Sequence, residues 1–236
     1  MNRSSLGQRS GGLRKSLGRV RARLDLKYGR IGRTVPLSRE FGYDRGQPID
    51  RRYIEGFLAA HSADIRGNVL EIGDASYSQQ FGGDRITRQD ILHVHAGNPI
   101  ATIIGDLSDP AVLPSKRFDC IILTQTLHLI FDMPRAIEQI HRSLAPGGVA
   151  LITVPGITPI DRHEWGETWF WSLTRRALER LLSGPFEAEK VAFNEYGNLF
   201  AATAFLHGAA VEDVDTAKLE RFDATYPVIV GARAEA

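Results

Sequence analysis

Three apolar runs constrain this chain most, because each one stops at a glycine, an acid or a polar pair. Val-Leu-Glu-Ile-Gly occupies 69–73, Ile-Ile-Gly-Asp-Leu 103–107, and Phe-Asp-Cys-Ile-Ile-Leu 118–123 before Thr124-Gln125. Short, near-continuous apolar runs are the mark of parallel strands buried on both faces. In open α/β sheets, ligands bind in the crevice at the carboxyl ends of such strands. Three strand ends of this kind imply one extended ligand lying across a doubly wound sheet.

The rest of the chain supplies the other layers. Strands are expected at 68–72, 85–89, 101–105, 118–123 and 149–154, with Pro146-Gly147-Gly148 turning into the fifth. Pro48 precedes a helix whose apolar face is Ile49, Tyr53, Ile54, Phe57 and Leu58, and a short helix or loop spans 75–82. Further helices are expected at 134–144, 173–182 and 199–206, and two last strands at 191–195 and 228–232. The reading is an α/β fold: a Rossmann-like, seven-stranded, mostly parallel sheet with a C-terminal antiparallel hairpin strand and helices on both faces.

Composition enters through charge. The 236 residues sum to +1, yet residues 1–40 hold eleven Lys/Arg against Asp25 and Glu40, so the remainder is eight negative. Two regions follow: a basic arm over 1–40 and a domain over 41–236. Leu13, Leu17, Val20 and Leu24 recur at helical spacing among Arg14, Lys15, Arg19, Arg21 and Arg23. A basic amphipathic helix over 13–28 can dock on the chain's own acidic remainder, or hold an anionic membrane surface or an acidic partner. Sparse aromatics in the arm argue against a nucleic-acid partner. No apolar run reaches the roughly 18–20 residues of a membrane span, and the lone Cys120 lies in an apolar strand. The expected location is cytoplasmic, with peripheral membrane contact through the arm; the oligomeric state is not legible.

These runs resemble the class I S-adenosylmethionine-dependent methyltransferases, over residues 66–155 most closely. The resemblance implies S-adenosylmethionine as cofactor. It places Glu71-Ile72-Gly73-Asp74 and Tyr77 at the turn under the methionine part, and Asp90, 17 residues past Gly73, on the ribose hydroxyls. It places Gly105-Asp106-Leu107 at the adenine and Thr124-Gln125 beside the ligand. Arg45 and Tyr53, with Arg51 and Arg52, precede the first strand, where an arginine can hold a carboxylate bidentately. The chain departs from the family pattern in its glycines: Asp74-Ala75-Ser76-Tyr77-Ser78 follows Gly73, and Gly82-Gly83 comes only later. That Gly-Asp variant, with Phe41-Gly42-Tyr43-Asp44-Arg45-Gly46, Pro48-Ile49-Asp50-Arg51, Tyr196-Gly197-Asn198 and Phe205-Leu206-His207-Gly208, resembles a type 11-like bacterial subgroup often associated with glycosyltransferases.

Catalytic candidates are histidines, which suit proton removal from an alcohol near neutral pH. His128 follows the fourth strand, and His163 lies after the fifth, beside Glu164, Trp165 and Trp169, the candidates for acceptor contact. His93-Val94-His95 has metal-like spacing without a third ligand near in sequence, so no metal is expected. The expected activity is methyl transfer to a small-molecule or glycan acceptor, most simply at a hydroxyl oxygen. The alternative is a non-catalytic adenosyl-ligand-binding or scaffold protein on a degenerate methyltransferase fold. A nicotinamide-dependent oxidoreductase needs Gly-x-Gly-x-x-Gly after the first strand, and the chain lacks it.

Overall fold

The computed structural model describes residues 34–236, so most of the basic arm, including 13–28, lies outside the described residues. The chain builds one seven-stranded sheet from β1 (Gly67–Ile72), β2 (Ile86–His93), β3 (Ile103–Ile104), β4 (Phe118–Thr124), β5 (Leu144–Pro155), β6 (Val191–Tyr196) and β7 (Ile229–Glu235). Their order is β3-β2-β1-β4-β5-β7-β6. β1 to β5 pair in parallel, and β7 runs antiparallel between β5 and β6. This is the expected mostly parallel sheet with its C-terminal hairpin. The chain order reverses between β1 and β4, which opens a crevice above their carboxyl ends.

Side-chain alternation along the strands feeds two cores. Leu70, Ile121, Leu123, Ala150 and Ile152 face α3 (Met133–Ser143) and α4 (Arg175–Leu182), through Ile137, Ile140, Leu178 and Leu182. Val69, Cys120, Ile122 and Leu151 face the other way, onto α1 (Ile49–Ala60) and α5 (Leu199–Leu206), through Ile54, Phe57, Leu58 and Phe205. Strands packed on both faces have no polar side, which is why they read as unbroken apolar runs. α2 (Ser76–Phe81) follows β1 directly, and α6 (Thr216–Leu219) precedes β7. Helix starts follow their caps: Pro48 stands before α1, and Asp132, Thr174 and Asn198 accept backbone N–H groups at α3, α4 and α5.

Two local departures from the sequence expectation stand out. β2 runs on to His93 rather than ending near 89, so Asp90 is internal to the strand and pairs with Leu70. The Pro146-Gly147-Gly148 segment is not a turn before β5 but an irregularity inside it. Phe118 pairs with Leu144 and Cys120 with Val149, so four residues bulge from the ladder. A Cβ on Gly148 would lie 2.7 Å from the Phe118 carbonyl oxygen. Glycine is what lets the bulge close against β4.

Candidate active site

The crevice floor is set by backbone. Gly73 N–H donates to the Leu92 carbonyl (2.9 Å), and Gly105 N–H donates to the His93 carbonyl (3.0 Å), so the ends of β1, β2 and β3 stand level. Gly73 has φ +93°, and a Cβ there would meet nothing within 4 Å. The space above it is open, and a ligand can approach the main chain there. Asn98 reaches back from the loop after β2 and donates through Nδ2 to the Gly73 carbonyl (2.6 Å).

The acids expected at the strand ends differ in what they do. Glu71 is buried, and its carboxylate accepts the Tyr77 and Ser78 N–H groups (3.1 and 2.8 Å) at the start of α2. Burial pushes the Glu71 carboxyl up, and those bonds oppose the shift. Asp74 accepts from Ser76 N–H (2.8 Å). Together they stiffen the turn that the missing glycines would otherwise have formed. Asp106 is exposed past β3 and accepts from the Ser108 N–H and hydroxyl, both at 2.8 Å, while Leu107 is buried beneath it. Thr124 closes β4, and Gln125 turns with φ +47°, a strained value for a non-glycine, held by Thr153 through N–H to carbonyl at 2.9 Å.

Asp90 is a correction in position. It sits three residues before the end of β2, 3% exposed, receiving Arg117 (2.8 Å), Arg88 (3.2 Å) and the Thr102 hydroxyl (3.0 Å). Burial alone would raise its pKa, but these three partners hold it below the usual carboxylate range. A carboxylate so engaged, within the strand, is not presented at the crevice. Arg45 and Tyr53 are likewise tied elsewhere. Arg45 forms a bidentate pair with fully buried Asp213 (2.6 and 3.1 Å). Tyr53 donates to the Leu219 carbonyl (2.9 Å) and stacks on Tyr196, with its hydroxyl pushed up to about 12 by burial.

A polar cluster collects instead where α1 begins. Asp50 and Arg51 lie in the first turn of α1, paired at 3.8 Å, and Arg51 Nη1 donates to the Tyr77 hydroxyl (3.3 Å). The segment after β5 crosses above. Trp169 stacks on Phe41 (6.0 Å, 13°) and stands edge-on to His128 (4.4 Å, 64°). The His128 carbonyl accepts the Phe170 and Trp171 N–H groups. Farther along, Trp165 meets His93 (6.4 Å) at the end of β2. His163 is exposed, with Nε2 3.2 Å from Glu40 Oε1, and Glu164 is exposed beside it. The aromatic segment thus straps over the ends of β4 and β2. Trp169 from the strap meets His128, Arg51 bonds Tyr77, and His163 is exposed.

Buried polar atoms without a hydrogen bond mark this cluster: Asp50 Oδ1, Arg51 Nε (whose nearest charge is Asp50 Oδ2 at 3.8 Å), Trp169 Nε1 and both ring nitrogens of His128. Such atoms are destabilising unless a ligand or water completes them. Burial, then the Arg51 charge, lowers the His128 pKa to about 3, so its ring is neutral at physiological pH. The sequence reading left Asp50 out. Its signal was an acid–arginine pair in the first turn of the helix before the first strand. Among the described residues no group of three His, Cys, Asp or Glu side chains is placed to hold a metal, and no helix is long and apolar enough to cross a membrane.

Known proteins resemble this chain over part of its length. Two curated relatives are the mitochondrial arginine-hydroxylase NDUFAF5 of Homo sapiens (29% identical over 124 residues) and of Rattus norvegicus (26% over 120). Each match covers 50% of this chain but only 28% and 29% of the relative, so the chain spans under a third of their length. Among solved structures, a SAM-dependent methyltransferase from Archaeoglobus fulgidus superposes with a TM-score of 0.52 at 12% identity, over 79% of this chain and 94% of that one. The [4+2]-cyclase SpnF gives 0.50 at 15% identity, over 78% and 79%. These two likenesses show the fold alone, and the cyclase shows that the fold does not fix the reaction. The model of the methyltransferase domain family matches residues 40–185, more than half of the chain, and takes in α1, the crevice and the aromatic strap; the chain belongs to that family.

Proposed function

We propose that this chain methylates a hydroxyl oxygen of a small-molecule or glycan acceptor, with the site under the aromatic strap. S-adenosylmethionine is the cofactor of this methyltransferase domain, and when bound it supplies an electrophilic methyl group on a sulfonium. The observation that carries the reading is the set of orphaned buried atoms. Arg51 Nε and Trp169 Nε1 are donors and Asp50 Oδ1 is an acceptor, and Arg51 reaches the Tyr77 hydroxyl at the start of α2, the helix that follows the Gly73 turn. One acceptor and two donors suit the ammonium and carboxylate of an amino-acid end. Asp50 and Arg51 would hold that end. Gly73 would admit the ligand against backbone, and Asp106, exposed past β3, would take the adenine amino group.

His128 takes the acceptor's proton in this reading. Its neutral ring has a lone pair to accept a hydrogen bond from a hydroxyl. A low pKa does not disqualify it: as the methyl group arrives, the acceptor oxygen becomes an oxonium, far more acidic than an imidazolium. Proton transfer then runs downhill even to a weak base. Trp169 excludes water above His128, and positioning of the two reactants supplies much of the acceleration. Glu164, Trp165 and the exposed His163 flank the path an acceptor would take. The glycan preference rests on the resemblance to the glycosyltransferase-associated subgroup. The basic arm is proposed to hold the enzyme at an anionic surface.

The test is transfer of isotope-labelled methyl from S-adenosylmethionine to a panel of sugars and phenols, with products identified by mass and by lability to nucleophiles. A labelled ether on one acceptor class, lost in His128→Ala while S-adenosylhomocysteine still binds, is the expected result. Binding without transfer to any acceptor would leave the non-catalytic reading in its place.

A further inference from the structure

His93 has no role in the chemistry above, yet it occupies the middle of the crevice floor. β2 ends on it, with Leu92 beside Ile72 and the His93 carbonyl holding Gly105 N–H. His93 therefore stands between Gly73 and Gly105, where the strand ends are level. Its Nδ1 is engaged by the backbone of His95, 3.1 Å from the N–H and 3.0 Å from the carbonyl. That fixes the ring and leaves Nε2 for a ligand. Trp165 stands against the ring at 63°, and its backbone N–H donates to Asp161 Oδ2 (2.8 Å). The carboxylate of this strand, Asp90, is inside the sheet and already has three partners.

We propose that His93, rather than a carboxylate, meets the ribose of the cofactor, and that Trp165 covers the adjoining face of the nucleoside. The proposal rests on the cofactor reading above. One imidazole nitrogen makes one neutral hydrogen bond to a hydroxyl, whereas a carboxylate accepts from both hydroxyls with charge assistance. The Trp165 indole offers a flat apolar surface that a carboxylate site would not need. The two residues come from different elements, β2 and the strap, so nucleoside binding also fastens the strap over the floor.

Calorimetry of the full chain with S-adenosylhomocysteine tests this, using His93→Ala, His93→Asp and Trp165→Phe, with melting temperatures taken on each. His93→Ala should bind about tenfold more weakly, the loss of one hydrogen bond, and His93→Asp should recover the affinity. The ring nitrogen resonance of His93 in the wild-type chain should move on saturation with S-adenosylhomocysteine. Should His93→Ala fail to fold, that resonance decides alone: an unmoved signal in a saturated sample overturns the proposal. Equal affinity of a folded His93→Ala and the wild type overturns it too, while the cofactor reading stands. No binding by the wild type removes both.

Discussion

His128 concentrates the physics of this site in one side chain. Its ring is 1% exposed, both nitrogens lack partners, and burial together with the Arg51 charge lowers its pKa from 6.5 to about 3. The sign of the consequence is fixed by linkage. Between pH 6.5 and 3 the unfolded chain binds a proton at this position and the folded chain does not, so stability falls as the pH drops through that window. From pH 7 to pH 5 the loss is about 2 kcal/mol, at roughly 1.4 kcal/mol per unit below 6.5. Urea unfolding at the two pH values should show the wild type losing about that much more than His128→Leu. Equal losses would mean that water or a partner reaches the ring. At this scale the sequence was legible only in part. Strand-end spacing put Glu71, Gly73 and Asp106 near the ends of β1 and β3, and that is where they lie. Asp90 was placed one register too far out, because a buried, fully paired acid interrupts an apolar run just as a strand end does. Only the partners Arg117, Arg88 and Thr102 tell the two apart, and they are distant in sequence. Arg45 was read as a ligand group because its partner Asp213 lies 168 residues away.

Elements were far more legible than contacts. Two-sided burial writes itself as apolar runs, and caps write themselves as Asp132, Thr174 and Asn198, so strands and helices could be located before their neighbours were known. The strap over residues 156–171 could not, because an aromatic loop has no period and its partners are far apart. Phe41 holds Trp169 from one side and His93 meets Trp165 from the other. The clasp predicts how access is controlled. Trp169→Ala removes both the ring over His128 and the stack on Phe41, so water should enter and the His128 pKa should rise toward 6.5. Diethyl pyrocarbonate, which acylates neutral imidazole, should then modify His128 at least several-fold faster, as read by peptide mass mapping. Exposed His163 should react at the same rate in both proteins. Unchanged protection of His128 would show that the strap is held by its backbone bonds to the His128 carbonyl alone.

For the whole molecule the governing quantity is charge separation. Ten Lys/Arg and one acid lie in residues 1–33, so that stretch carries +9 and the described residues 34–236 carry −8 against a total of +1. A single net charge near zero therefore hides two stretches of sequence of opposite sign, which a charged surface would attract and repel respectively. An anionic membrane attracts the arm by about 1 kcal/mol per basic residue near its surface and repels the domain. Arg14, Lys15, Arg19, Arg21 and Arg23 flank the apolar series Leu13, Leu17, Val20 and Leu24, so charge and apolar contact would act on the same stretch. The full chain should sediment with phosphatidylserine vesicles at low salt and be released as ionic strength rises, since screening shortens the reach of each charge. Changing those five residues to Gln should lower the affinity by about seventyfold, even if only half of each charge's contribution is realised. The same change should leave S-adenosylhomocysteine binding untouched, because every residue assigned to the crevice lies beyond residue 33. If instead the Gln variant binds vesicles as well as the wild type, the arm is not what meets the surface. If it loses thermal stability, the arm's charge is being used against the chain's own acidic domain.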